Sequence, residues 1–519
     1  MSALTVPFLM PTVEEVVPDF VALKDRLTGS SVVEERYTAT QVPSSGDSYT
    51  VGGSGTRLMI IRVANQNDYI DTSTMVLNFR AQANQASTGL ALDDHILSLV
   101  DTINVKVGGQ TVEVLNNVGH LVNALVQGSM PYNYYKQNGA FEGLYVYDKW
   151  LDGPSRVVGG VGVADANNAD VTTSDMVGSR WAVGNSWLEN GRYYSVPLTL
   201  LGICRIPQLF CARNFQDVTI ELLFRSQLAG CAWVSNPTTA IPANASTTFL
   251  NISDVTLTYD CCRMSADYYA LMDNELKMPN GSGVAYAIDT YQVQPASIAS
   301  GSSATTGPGS SGALTRIVVA KGTRFLKGVY GVSKPVSAET SFYWRNNSMA
   351  GNYCFSSYQV IINSKRYPQL QIQSSAQSFQ ELQKAYNQLG SVAGGAVISW
   401  FNYVGQPVAR LNATGNTQRQ DATASGTKDG TLLGSCPGDE AMFQNGVNLE
   451  QFLTNQPDAG GINTSTSGYQ IAVEIQNNGQ TGAVGSVDAT MSASGLTHYV
   501  ILHFTRVLTL KAGAVEVLD

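Results

Sequence analysis

FLNISDVTLTYDCCRMSADYYALMDNELKMPNGSGVAYAIDTYQVQP, residues 249–295, places a strand, a helix and a second strand in one passage. Residues 249–262 alternate through Val255, Leu257 and Tyr259, the period that sets apolar side chains on one face of a strand. Ser265 then stands where a helix N-cap is needed, ahead of Ala-Asp-Tyr-Tyr-Ala-Leu-Met, and the helix stops near Lys277, Met278 and Pro279. Residues 283–295, GVAYAIDTYQVQP, return to strand. A helix set between two strand-rich halves marks a domain boundary.

The same texture extends in both directions. Upstream, residues 32–42, 56–64, 72–82, 193–204 and 217–224 read as strands, and 96–115 reads as strand, Gly-Gly turn and strand. Leu115 to Val126 has helical spacing, a cluster of Tyr132, Tyr134 and Tyr135 follows, and the Gly-, Asn- and Asp-rich residues 138–190 read as a long loop region. Downstream, 314–319, 325–332, 358–363, 466–476 and 495–513 read as strands. Residues 297–312 and 412–438 read as loops, and 375–389 as a helix with Phe379, Leu382, Tyr386 and Leu389 on one face. Near the N-terminus, residues 11–29 have the spacing of a short amphipathic helix. Thr12 and Glu15 stand at capping-box distance, Gly29 at the end, and Pro18 argues for a break or late start. Runs of strands without regular alternation of strand and helix predict antiparallel sandwiches.

The totals agree with that architecture. A chain of 519 residues and 55.5 kDa exceeds one ordinary core, so at least two domains are expected. Charged residues make up 14%, against roughly 25% in an average soluble domain, while Gly (49) and Tyr (24) are plentiful. Such a polar but weakly charged surface suits many loops and broad protein contacts. The net charge of -9 argues against phosphate binding by the surface as a whole, and the only basic groups are short and scattered, such as Lys365-Arg366. Of the seven cysteines (Cys204, Cys211, Cys231, Cys261, Cys262, Cys354, Cys436) no two have C-x-x-C spacing, and buried free thiols in a reducing compartment are expected. MSALTVPFLMPTVEEVVPDF lacks the basic leader of a secretory signal, and no run of 18 apolar residues offers a membrane span.

Three strings carry a resemblance. Tyr193-Tyr-Ser-Val-Pro-Leu is followed by Arg205-Ile-Pro-Gln-Leu and Asp217-Val-Thr-Ile-Glu-Leu-Leu-Phe. Ile252-Ser-Asp-Val-Thr-Leu-Thr-Tyr leads into a Tyr-rich helix, and Ile362-Asn-Ser-Lys-Arg-Tyr-Pro precedes another helix. Two tandem sandwiches carrying these strings resemble the double jelly-roll major capsid proteins of double-stranded DNA viruses, in the style of virophages and polinton-like viruses. The resemblance implies an all-β fold of two tandem antiparallel jelly-roll β-sandwiches with a few short helices and long loops. Its divisions fall at 1–30 (N-terminal arm with short helix), 31–264 (first jelly roll), 265–282 (connecting helix) and 283–519 (second jelly roll with C-terminal tail). It implies a homotrimer that packs with neighbouring trimers, penton and minor capsid proteins into an icosahedral virion shell. That shell encloses double-stranded DNA without sequence-specific binding. The N-terminal helix and the tail AGAVEVLD are expected on its inner face, and the long loops as towers or locks between subunits.

Catalytic chemistry has little to stand on. His498 and His503 share one strand run at an odd offset and face opposite sides, which spoils a joint metal site. Asp93-Asp94-His95 reads as a turn before a strand rather than a metal site, and no nucleophile elbow, zincin or P-loop sequence occurs. Asp439-Glu440 are adjacent, and adjacent strand residues point to opposite faces, so they are a poor acid–base pair. No catalytic, cofactor-binding or metal residue is nominated, and no cofactor is expected. The alternatives are another assembly or surface protein (penton, spike or lattice protein) and a carbohydrate-binding or carbohydrate-active β-sandwich.

Overall fold

The computed structural model describes residues 33–63, 68–84, 90–92, 95–127, 129, 191–215, 217–234, 245–277, 284–298, 314–336, 340, 355–386, 398, 403, 409–411, 417–419, 443–450, 461–465, 469–477, 496–511 and 514–518. The expected N-terminal helix at 11–29, the tyrosine cluster at 132–135 and the loop region at 138–190 lie outside these residues. So do Leu389, Cys354, Cys436 and most of the loops at 297–312 and 412–438.

Among the described residues eleven strands precede the central helix and eleven follow it. The first eleven are β1 (Val33–Gln41), β2 (Ser48–Val51), β3 (Leu58–Val63), β4 (Tyr69–Ala83), β5 (Leu90–Leu92), β6 (Val100–Val107), β7 (Gln110–Asn116), β8 (Arg192–Pro197), β9 (Val218–Phe224), β10 (Ala232–Val234) and β11 (Leu250–Met264). Helix α1 (Ala266–Lys277) follows. The strands after it are β12 (Val284–Ile298), β13 (Leu314–Val319), β14 (Leu326–Pro335), β15 (Phe355–Ile362), β16 (Lys365–Ile372), β17 (Ala409–Leu411), β18 (Thr417–Arg419), β19 (Asn445–Asn448), β20 (Ile471–Asn477), β21 (Leu496–Lys511) and β22 (Ala514–Leu518). Helix α2 (Ser375–Ala385) lies between β16 and β17.

In the first half one sheet runs β1-β11-β4-β8 and the other β3-β9-β6-β7. In the second half the orders are β12-β21-β14-β19 and β13-β20-β15-β16. Numbering only these eight strands within each half, both halves read 1-8-3-6 and 2-7-4-5. Every pairing is antiparallel, and no described sheet mixes strands from the two halves. First and last strands lie side by side in each case, which is the order of a jelly roll, two Greek keys folded into one sandwich.

Side-chain alternation explains why each strand sits where it does. In β9, Val218, Ile220, Leu222 and Phe224 are buried while Thr219, Glu221 and Leu223 are less so. Tyr49, Met59, Ile61, Leu77 and Leu257 fill the first core. Ile288, Val329, Val360, Val473, Leu502 and Phe504 fill the second. Two tight hairpins repeat one device: Gly108 and Gly109 (φ 55° and 80°) join β6 to β7, and Asn363 and Ser364 (φ 47° and 67°) join β15 to β16. Positive φ at both central residues matches the right-handed twist of the flanking strands. Ser265 does cap α1, its Oγ accepting from Tyr268 N at 3.4 Å. In α2 the cap is Ser374, whose Oγ accepts from Gln377 N at 3.2 Å; Leu382 is buried and Phe379 and Tyr386 pack beside it.

Several local expectations need correction. The strand predicted over 193–204 stops at Pro197, whose nitrogen has no proton to donate, and Gly202–Arg205 is a single 3-10 turn. The helix predicted over 115–126 begins only at Val118, after β7, and widens to π-form over Val122–Gln127. Residues 297–298 still belong to β12, and within 412–438 Thr417–Arg419 pairs with β17. The C-terminal tail is a strand: β22 pairs with β21 from Val507↔Leu518 to Lys511↔Ala514.

Leu257, wholly buried between the first pair of sheets, sets the scale of core packing. Leu257→Ala is expected to lower the unfolding free energy by about 2–5 kcal/mol, measured by urea denaturation followed by circular dichroism.

Candidate assembly interface

The two sandwiches meet along unlike edges. The edge of the first that carries β7 lies against the edge of the second that begins with β12. Arg506 of β21 donates from Nη1 to the Val112 carbonyl of β7 at 2.6 Å. Gly202 lies so close under β12 that a β-carbon there would come within 2.1 Å of the Asp289 carbonyl oxygen, so only glycine fits. Tyr286 of β12 reaches across as well. Its hydroxyl donates to the Leu209 carbonyl at 3.1 Å and accepts from Cys211 N at 2.9 Å, while its ring packs at 5.2 Å from Phe210. Higher on the seam, the rings of His120 and Tyr499 approach to 4.1 Å, and the Tyr386 hydroxyl donates to the Ala124 carbonyl.

Charges are enclosed in this seam. Glu113 of β7 is fully buried and accepts from the backbone N–H groups of Gly202 (2.9 Å) and Ile203 (3.1 Å). Burial pushes its carboxyl above the ordinary value, and the two N–H groups and Arg205 pull the other way without overcoming it. Arg205, part of whose side chain stays exposed, donates to the Tyr291 hydroxyl at 2.9 Å and the Asp289 carbonyl at 2.6 Å. Behind it Asp289 accepts from Lys327 Nζ (2.8 Å) and Thr505 Oγ1 (2.6 Å), and Lys327 is almost entirely buried. Burial alone would raise Asp289. Its neighbours outweigh that and hold it below its ordinary value. His503 stacks on Tyr291 at 4.7 Å, and burial drives its imidazole down to about 3. The ring is therefore neutral near pH 7, and Lys327 is the lasting counter-charge of Asp289. None of these residues is marked in the sequence as belonging to a site, because their partners come from segments far apart in the chain.

The opposite edges have no such cover. β16, the second half's equivalent of β7, leaves Lys365, Arg366, Gln369 and Leu370 exposed, whereas β7 buries Val112, Glu113 and Leu115. β1, the equivalent of β12, leaves Glu34, Glu35, Arg36, Thr38 and Thr40 exposed.

Of the residues weighed for chemistry, those described sit in packing and capping contacts. His95 Nδ1 accepts from Leu97 N at 3.1 Å and caps a 3-10 turn; Asp93 and Asp94 lie outside the described residues. His498 is buried in the second core beside Ser333 (2.7 Å), away from His503. Cys204, Cys211, Cys231, Cys261 and Cys262 are buried and unbridged. Asp439 and Glu440 lie outside the described residues. Among the described residues no group of three His, Cys, Asp or Glu side chains is placed to hold a metal, and no helix is long and apolar enough to cross a membrane.

Removing the Asp289 carboxylate strands a buried ammonium. Asp289→Ala is expected to cost on the order of 3 kcal/mol in urea unfolding, and replacing Lys327 by Met in the same chain to recover most of it. Because Asp289 titrates below its unfolded value, its contribution is present above pH ~4 and lost as pH falls through the folded-state pKa. The Ala variant should show a shallower loss of stability in that acid range.

No protein-family model matches the sequence, and no curated protein matches it. Solved structures do match. VP54 of the virus PBCV-1, fitted into a reconstruction of the virophage Sputnik, superposes with a TM-score of 0.55 at 10% identity, over 95% of this chain and 98% of that one. A quasi-atomic model of the PBCV-1 capsid gives 0.53 at 9% identity, over 95% and 98%. The cryo-EM structure of Sputnik gives 0.51 at 11% identity, over 95% and 89%. With both strand orders of a jelly roll repeated in one chain, and superposition over nearly its whole length, the protein has the double jelly-roll fold found in these viral capsid structures.

Proposed function

We propose that this chain is a major capsid protein, a homotrimer whose six sandwiches form a pseudo-hexagonal block that tiles the facets of an icosahedral virion. The observation that carries the reading is the junction of unlike edges. A contact between two different edges of one architecture is heterologous, and repeating it leaves a complementary edge free at each end until a ring closes. Each chain supplies one such junction internally and offers β16 and β1 as its free ends. The extent of the match to capsid structures supports the same reading. In it the chain divides into an arm (1–30), a first jelly roll (31–264), a connecting helix (265–282) and a second jelly roll (283–519). The role is structural rather than catalytic. Its partners are copies of itself, then penton and minor capsid proteins, around double-stranded DNA held without sequence-specific contacts.

The purified chain is expected to have a solution mass of three times 55.5 kDa and hexagonal outlines in negative stain. A chain that stays monomeric at every concentration tested, forming neither blocks nor shells, would overturn the proposal.

A further inference from the structure

We infer that the free edges join through a defined seam. The basic start of β16 in one copy meets the acidic start of β1 in a second copy, with the exposed Leu370 further along the same β16 edge. This inference rests on the trimeric reading and adds the residues that make the junction.

The intrachain junction supplies the register. Gly108, in the β6–β7 turn, lies 2.9 Å (from an added β-carbon) from Val515, which pairs with Leu510, itself paired with Val284. Five residues on, Glu113 holds Gly202 N, and Gly202 lies under Asp289, five residues beyond Val284. β7 and β12 therefore run level and in the same direction. They form no ladder with one another, so the junction is made by side chains and carbonyls.

The equivalent turn in the second sandwich is Asn363–Ser364, since Ile362↔Lys365 closes it as Val107↔Gln110 closes the first. The equivalent of Val284 is Val33, which opens β1 and pairs with Met264 at the end of β11. Transferring the register brings Lys365 and Arg366 level with Glu34–Arg36; beyond Tyr367 a register shift in β16 ends the level-by-level correspondence. Lys365 and Arg366 are exposed, and β16 carries no acid. Around the start of β1, Glu34, Glu35, Asp68, Asp71 and Asp260 outnumber Arg36 and Arg263. Arg36 is already tied to Asp260 at 2.9 Å and Asp71 at 3.0 Å. Leu370, 84% exposed, adds an apolar side chain to the same edge. Basic meets acidic at the start of the two strands, a complementarity that selects the partner edge.

A different purpose for Lys365, Arg366 and Pro368 is to block ladder formation at an edge strand. Charge exchange separates the two. Full-length chains carrying Lys365→Glu with Arg366→Glu, or Glu34→Lys with Glu35→Lys, are compared with the chain carrying all four changes, by sedimentation at 50 and 500 mM salt. Each reversal alone is expected to raise the concentration at half-assembly by about tenfold or more at low salt, with a smaller effect at high salt. The fourfold exchange should return it most of the way. Leu370→Asp, at a site too exposed to affect folding, should also weaken assembly. If the unaltered chain is a trimer and both reversals leave it so, or the fourfold exchange rescues nothing, the seam is wrong while the capsid reading stands. If the unaltered chain never assembles, both fall.

Discussion

The closeness of two backbones at Gly202 constrains the rest of the molecule. With the Asp289 carbonyl directly over it, the first sandwich cannot shift along the second without collision, and Glu113 locks the same turn by accepting both of its forward N–H groups. The contact is rigid because it is made by main chain and by side chains with almost no solvent around them. That rigidity is why the register of one junction can be transferred to another, and why the two halves are better regarded as one block than as beads on a linker.

Polar and charged contacts are an odd way to join two domains, since apolar residues of the same volume would often hold them as well or better. Their benefit is in direction. Apolar surfaces tolerate sliding, whereas Arg205, reaching across to the Tyr291 hydroxyl and the Asp289 carbonyl, and Arg506, reaching back to the Val112 carbonyl, satisfy their partners in a single alignment. We read the polar seam as a device for orientation, with the aromatic packing of Tyr286, Phe210 and Phe215 supplying the cohesion.

The sequence reveals those elements whose two faces differ. DVTIELLF alternates because one face of β9 meets the core and the other does not, and the same holds for the strand before α1 and for α2 itself. Residues 365–372, KRYPQLQI, show no period because most of that edge strand faces outward and carries a proline. AVEVL looks like a tail because five residues are too few to display one. LTLLGIC is apolar except for Thr199, so composition extends the strand past the point where Pro197 and Gly202 end it. Glu113 is the hardest case. In QTVEVLN a carboxylate beside an inward Val112 reads as solvent-facing, but a bulge at Val112 sets Glu113 opposite the buried Val105, where Gly202 N and Ile203 N receive it. Alternation along one strand is therefore readable in the chain, and a bulge or a contact between segments far apart in sequence is not.

Having both sandwiches in one polypeptide changes the thermodynamics of building a ring. Six separate sandwiches would surrender translational and rotational freedom at five successive encounters before closure, each opposed by several kcal/mol or more. In the trimer proposed above, the same six, joined in pairs through α1, would arrive as three bodies, and two encounters would suffice. The junction at Gly202 forms during folding, at an effective concentration set by a short connector rather than by the number of chains in solution. Each external junction of such a ring could then be weak enough to open and correct itself, since no single one would have to hold the ring alone.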